Sequence, residues 1–82
     1  MSEFLSIDFE TASNKQDSAC AIGIVRVSDG KIVHQESHLI RPPSPHFMFT
    51  HIHGITWADV EWEADFFGVW HRIADQFKDI DF

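Results

Sequence analysis

Residues Phe4-Leu5-Ser6-Ile7-Asp8-Phe9-Glu10-Thr11 combine the apolar character of a buried strand with two carboxylates near its C-terminal end. Strand side chains alternate faces, so Asp8 and Glu10 point the same way, with Cα atoms roughly 6.6 Å apart at about 3.3 Å rise per residue. Leu5, Ile7 and Phe9 take the opposite face and can anchor the strand in a core. Two carboxylates held side by side repel one another unless a positive charge lies between them, and a divalent cation is the usual one. A pair of hard cations about 3.5–4 Å apart stabilises both the attacking and the leaving oxygen of an in-line phosphoryl displacement. The same spacing also fits a strand that ends in solvent with both carboxylates hydrated, because D-x-E is a short pattern.

A chain of 82 residues has room for one domain with a small core, residues 1–82. It is 44% hydrophobic, with three Trp and eight Phe, so it folds rather than staying disordered. Six Lys and Arg against thirteen Asp and Glu leave a net charge of -7. That balance argues against a basic groove for nucleic acid. It leaves metal-dependent phosphodiester chemistry open, because bound cations invert the local potential. Cys20 is the single cysteine, which excludes an internal disulfide and a thiolate zinc cluster; between Ala19 and Ala21 it suits a small buried role. Met1-Ser2-Glu3 has no basic leader character and no run of about 18 apolar residues exists, which points to a cytoplasmic protein without a membrane segment.

The pattern along the chain reads as strand, strand, strand, helix, helix. Residues 3–10 form the first strand and 12–18 a polar loop. Ala19 to Val27 is a continuous β-rich run, followed by Ser28-Asp29-Gly30 and a third strand from Lys31 to Ile40. Asp-Gly between two such runs predicts a hairpin, since a type I′ turn needs φ > 0 at both central residues. The third strand places Ile32, His34, Glu36, His38 and Ile40 on one face, and this mixed polarity suits a solvated sheet edge. Arg41-Pro42-Pro43-Ser44-Pro45 ends it. Thr56 followed by Asp59 predicts a capping box opening a short helix. A longer helix is expected over about Ala64 to Lys78, with Phe66, Phe67, Val69, Trp70, Ile73, Ala74 and Phe77 as one wide apolar face packed in the core. His51 and His53 form an H-x-H pair without a third ligand at metal spacing. His34, His38, His46 and His71 read as surface or rim histidines.

Taken in order, these motifs resemble the DEDD 3′–5′ exonucleases, the group containing the proofreading epsilon subunit of bacterial DNA polymerase III. Phe4 to Thr11 resembles the first exonuclease motif. Ser18-Ala19-Cys20-Ala21-Ile22-Gly23-Ile24-Val25 is similar to the second strand, Asp29-Gly30-Lys31-Ile32 to its hairpin, and Leu39-Ile40-Arg41-Pro42 to the end of the third strand. Ile52-His53-Gly54-Ile55-Thr56 resembles the H-G-I-T element. The resemblance implies an α/β, ribonuclease H-like exonuclease fold of which this chain is the N-terminal portion: a three-stranded β-meander followed by two helices, with the later strands missing. It implies that Asp8 bridges two divalent ions, magnesium or manganese, and that Glu10 ligates one of them. It also implies that the backbone at Phe9 and the threonine Thr11 lie against the terminal nucleotide, and that Ile52 and His53 line the pocket for its base and sugar. The substrate would be a single-stranded 3′ end, DNA or RNA; a polymerase partner is left open.

The family's second motif, an H-N-x-x-F-D-like segment, would begin just after Phe82, and its third motif, with the general base, later still. Asp79 and Asp81 precede that place and are not taken as ligands. Two of four ligating carboxylates are present, so weak or absent activity is expected of these residues alone. The competing expectation is a catalytically silent interaction module or truncated gene product, with a possible homodimer formed through the first-strand edge.

Overall fold

The computed structural model describes residues 3–78, so Asp79 and Asp81 lie outside the described residues. Strands β1 (Glu3–Thr11), β2 (Ala19–Ser28) and β3 (Lys31–Leu39) form one antiparallel sheet in the order β1-β2-β3. Asp29 (φ 52°) and Gly30 (φ 81°) make the β2–β3 turn, the two positive φ angles that the Asp-Gly pair predicts. That turn sets the β2–β3 register from Ser28↔Lys31 onward, while across β1 and β2, joined by residues 12–18, Asp8 pairs with Gly23 and Glu10 with Ala21.

Two irregularities interrupt the ladder. Pairing steps from Glu10↔Ala21 to Thr11↔Ala19, leaving Cys20 as an extra residue on β2. It also steps from Arg26↔His34 to Val27↔Ile32, leaving Val33 extra on β3. The expected strict alternation along β3 therefore fails near its start.

Among the described residues four short helical segments follow the sheet: α1 (Thr50–His53), α2 (Trp57–Val60), α3 (Phe66–Ile73) and a 3₁₀ turn (Ala74–Phe77). Gly54 ends α1 in the left-handed conformation at φ 80°, and its N–H donates to the Thr50 carbonyl. The Thr56 backbone N–H donates to the Asp59 carboxylate (2.9 Å), the expected cap on α2. The Asp65 carboxylate caps α3 by accepting from the Gly68 N–H (2.9 Å). The helix expected over 64–78 is thus an eight-residue α-helix continued by a tighter turn.

The main core joins Leu5, Ile22, Ile24 and Ile40 to Val69 and Ile73 of α3. Burial of each such side chain contributes about 1.5–3 kcal/mol. Arg41 fastens the end of β3 to the start of α3: its N–H donates to the Ala64 carbonyl (2.9 Å) and its guanidinium to the Glu63 carbonyl (2.9 Å). A second cluster, Ala12, Cys20 and Val60 with Leu39, Phe47, Ile55 and Trp57, lies beyond the C-terminal end of β1. No helix among the described residues is long and apolar enough to cross a membrane.

Two sequence expectations about the core need correction. On β1 only Leu5 is buried; Ile7 is 36% exposed and Phe9 44%. The apolar face of α3 splits, with Val69 and Ile73 inward but Phe66, Phe67 and Trp70 exposed. A three-stranded sheet offers one helix-wide strip of contact, too narrow for the whole aromatic face. The surplus rings stack on one another: Phe66 on Trp70 (6.3 Å between centroids) and Trp70 on Phe77 (5.1 Å), with Phe9 tilted against Phe66 (6.3 Å).

Candidate active site

Strand alternation puts Asp8 and Glu10 on the sheet face opposite Leu5, Ile7 and Phe9. Asp8 is exposed and Glu10 half-buried. Neither carboxylate accepts a hydrogen bond or forms an ion pair among the described residues, whereas Glu3, Glu36, Asp59, Asp65 and Asp75 all have partners. Their cross-strand neighbours are Gly23 and Ala21, so almost no side-chain bulk stands beside them. A Cβ added at Gly23 would meet only the Asp8 carbonyl oxygen, at an ordinary 3.8 Å. Two free oxygen-rich side chains over a floor of small residues fit a hard divalent cation. No third His, Cys, Asp or Glu among the described residues is placed to complete a metal site.

The segment after the prolines is fastened to the end of β1. The Ala12 carbonyl accepts from the N–H groups of Met48 (2.6 Å) and Phe49 (3.2 Å). His53 spans the next step: Nε2 lies 2.9 Å from the Thr11 carbonyl oxygen, and Nδ1 accepts from the Ile55 N–H at 3.0 Å. The Thr50 hydroxyl donates to the Ile55 carbonyl (2.6 Å), closing the loop that carries Ile52. His53 and Thr11 are therefore brought together, Ile52 stands exposed beside them in sequence, and His51 is exposed. Between the two carbonyls of β1 and its loop, Ser13 and Ser18 hold residues 12–18 closed; the Ser18 hydroxyl accepts from the Ser13 N–H (3.2 Å) and lies 2.7 Å from the Ser13 carbonyl oxygen.

Cys20, lifted out of register by the bulge, is fully buried with Sγ 3.9 Å from His53 Nε2. Burial pushes its thiol pKa up, and the nearby Glu10 carboxylate adds to the rise. It is a protonated packing group, as its sequence neighbours suggest. On β3, the carboxylate of Glu36 is held below the usual carboxylate range by hydrogen bonds from His38 and then His34. These two histidines lie at the surface and rim of the sheet, as expected, and there they also partner a carboxylate. The β1 site differs: its carboxylates are left free.

A groove of about 920 Å³ lies on the other side of β1, lined by Phe9, Thr11, Ile40, Trp57, Phe66 and Phe67. Asp8, Glu10, Ile52 and His53 do not line it. The sequence-predicted residues are thus divided: the carboxylates on one face, Phe9 and Thr11 at the groove, and Ile52 and His53 at the end of the strand. Gly23, read from sequence only as part of the second strand, is the residue that leaves the space beside Asp8 clear, and a glycine inside an apolar strand run is the signal for it.

No family model and no curated protein matches the chain. Among solved structures it is similar to Exonuclease X in complex with 5′ overhanging duplex DNA, with 37% sequence identity and a TM-score of 0.73 over 88% of this chain. The fold is the N-terminal portion of a ribonuclease H-like exonuclease domain. The match covers 42% of that nuclease, so this chain spans less than half of its length. The meander with following helices is the architecture expected from the first-motif, hairpin and H-G-I-T residues.

Proposed function

We propose that this chain carries the first-motif half of a metal-dependent 3′–5′ exonuclease site of the DEDD type, the group of the epsilon proofreading subunit. The observation that carries the reading is the pair of partnerless carboxylates, Asp8 and Glu10, over Gly23 and Ala21 in a fold shared with Exonuclease X. Asp8 and Glu10 would hold two magnesium or manganese ions together with carboxylates from the remainder of such a domain. Bound there, the ions supply the positive charge that stabilises attacking and leaving oxygens in phosphodiester hydrolysis. The role of the chain's own residues is to set that charge at the end of β1 and to hold a chain end against it. The backbone at Phe9 and the threonine Thr11 contact the terminal nucleotide, and Ile52 and His53 bound its base and sugar. A 5′ overhang presents a recessed 3′ end, so the neighbour's DNA supports a nucleic-acid 3′ end as substrate. The single buried free thiol suits a reducing compartment, and the reading places the protein in the cytoplasm.

The test is titration with Mn²⁺ followed by NMR line broadening, alongside release of mononucleotides from single-stranded DNA. Broadening centred on residues 8–11, with weak metal-dependent release, is the expected result. Broadening centred on His34 and His38 with residues 8–11 untouched would reject the site.

A second reading, an interaction module that pairs with a copy of itself, is favoured by one observation. The outer edge of β1 has no partner strand among the described residues, and Ile7 and Phe9 flank it partly bare.

A further inference from the structure

We propose that His53 is a positioning residue whose ring fastens the Ile52 loop to the end of β1 and makes no hydrogen bond to the nucleotide. The inference rests on the exonuclease reading and changes the part His53 plays in it. A neutral imidazole has one N–H donor and one bare acceptor nitrogen. The Thr11 carbonyl 2.9 Å from Nε2 demands a donor there, and the Ile55 N–H 3.0 Å from Nδ1 demands an acceptor there. Only the Nε2–H tautomer meets both demands. Neither ring nitrogen is left to bind a sugar or base unless one of these bonds is given up.

The bonds join two places that sequence holds 42 residues apart. Thr11 directly follows the carboxylate Glu10. Ile55 belongs to a loop already closed by its own contacts, from the Thr50 hydroxyl to the Ile55 carbonyl and from the Gly54 N–H to the Thr50 carbonyl at 2.7 Å. Residues 50–55 are therefore tied to one another, and that closed loop carries Ile52, 69% exposed. Together with the bonds from Met48 and Phe49 to the Ala12 carbonyl, the ring of His53 sets how far Ile52 stands from Glu10 and Thr11. A nucleotide held by Ile52 at the end of β1 is placed beside the carboxylates only as well as that fastening is held.

Three variants separate the bonds. His53→Phe keeps a ring and loses both bonds. In His53→Gln the amide nitrogen can still reach the Thr11 carbonyl; in His53→Asn the amide oxygen can still accept from Ile55. Thymidine 5′-monophosphate with Mg²⁺ is the nucleotide probe, Mn²⁺ broadening at residues 8–11 reports the carboxylates, and hydrogen exchange at the Ile55 amide reports the loop. We expect His53→Phe to leave Mn²⁺ broadening unchanged, to lose Ile55 protection, and to weaken the nucleotide roughly tenfold, the effect of about one net hydrogen bond's worth of order. His53→Gln and His53→Asn should each recover part of that loss, and they decide the matter if His53→Phe does not fold. The ¹⁵N spectrum of the wild-type ring should show the Nε2–H tautomer both with and without the nucleotide. A nucleotide affinity untouched in all three variants, or a ring tautomer that changes when nucleotide binds, would overturn the positioning role. A wild-type chain that binds neither Mn²⁺ at residues 8–11 nor the nucleotide would instead overturn the exonuclease reading, and with it the role in placing a nucleotide. Ile55 protection and the tautomer would still report on the fastening itself.

Discussion

Substituting Asp8 by Asn keeps the size of the side chain and removes the charge that faces Gly23 across the ladder. Because Asp8 is exposed and has no hydrogen-bond partner, stability should change by no more than about 0.5 kcal/mol, while Mn²⁺ broadening at residues 8–11 should fall sharply. Retention of the broadening in Asp8→Asn would remove Asp8 from the site. Cys20 gives a second check, on its raised pKa: the thiol is buried and protonated, so iodoacetamide should leave it unmodified until denaturant opens the fold. Glu36 supplies a pH dependence. Its folded pKa is depressed below the ordinary value of 4.5 by His38 and His34, so its contribution is present above that value and is lost as pH falls through the lowered one. Chemical denaturation of wild type and Glu36→Gln should differ by about 1 kcal/mol or less at pH 6 and converge in strong acid. A gap that widens in acid would contradict the assignment.

The start of α3 concentrates the element-scale energetics in a four-residue stretch. Removing the Asp65 cap with Asp65→Ala should cost about 1 kcal/mol in urea unfolding, because the Gly68 N–H loses its acceptor. Gly68 itself poses two opposed effects. Alanine gains about 1 kcal/mol in helix propensity, but a Cβ at this position would stand 2.9 Å from the Ala64 Cβ, which has no rotamer by which to escape. Repulsion between two fixed methyl groups in a segment pinned by Arg41 should win, so Gly68→Ala is expected to lower Tm despite the better helix former. A raised Tm would show that the 63–65 strap yields more easily than its hydrogen bonds indicate.

For the molecule as a whole, the open edge of β1 and the aromatic row beside it dominate behaviour in solution. Ile7, Phe9, Phe66 and Trp70 are all more than a third exposed, and nothing in residues 4–7 supplies the lysine or proline that discourages edge pairing. Two copies pairing β1 to β1 about a two-fold axis would extend the sheet and cover the flanking side chains. Sedimentation velocity across micromolar concentrations should therefore show self-association, and Ile7→Lys should shift the equilibrium towards monomer. A monomeric wild-type chain throughout that range would leave the interaction-module reading without support.

What the sequence determined by itself is the local geometry. Period-two alternation alone sets Asp8 and Glu10 on one face, Asp29-Gly30 demands the hairpin, and the Thr56–Asp59 spacing demands the cap, because each depends on neighbours within a few residues. The order of strands and helices followed from the same signals, and the fold class from the resemblance of those motifs, taken in order, to an exonuclease family. Tertiary structure decided what depends on distant partners. Cys20 leaves the ladder where Thr11 must pair with Ala19, and His53 takes its tautomer from a carbonyl 42 residues away. The aromatic face of α3, uniform as a helical pattern, divides because three strands cover only the Val69–Ile73 strip. Periodicity states which residues can be buried together; the area of sheet available to bury them emerges only when the elements meet.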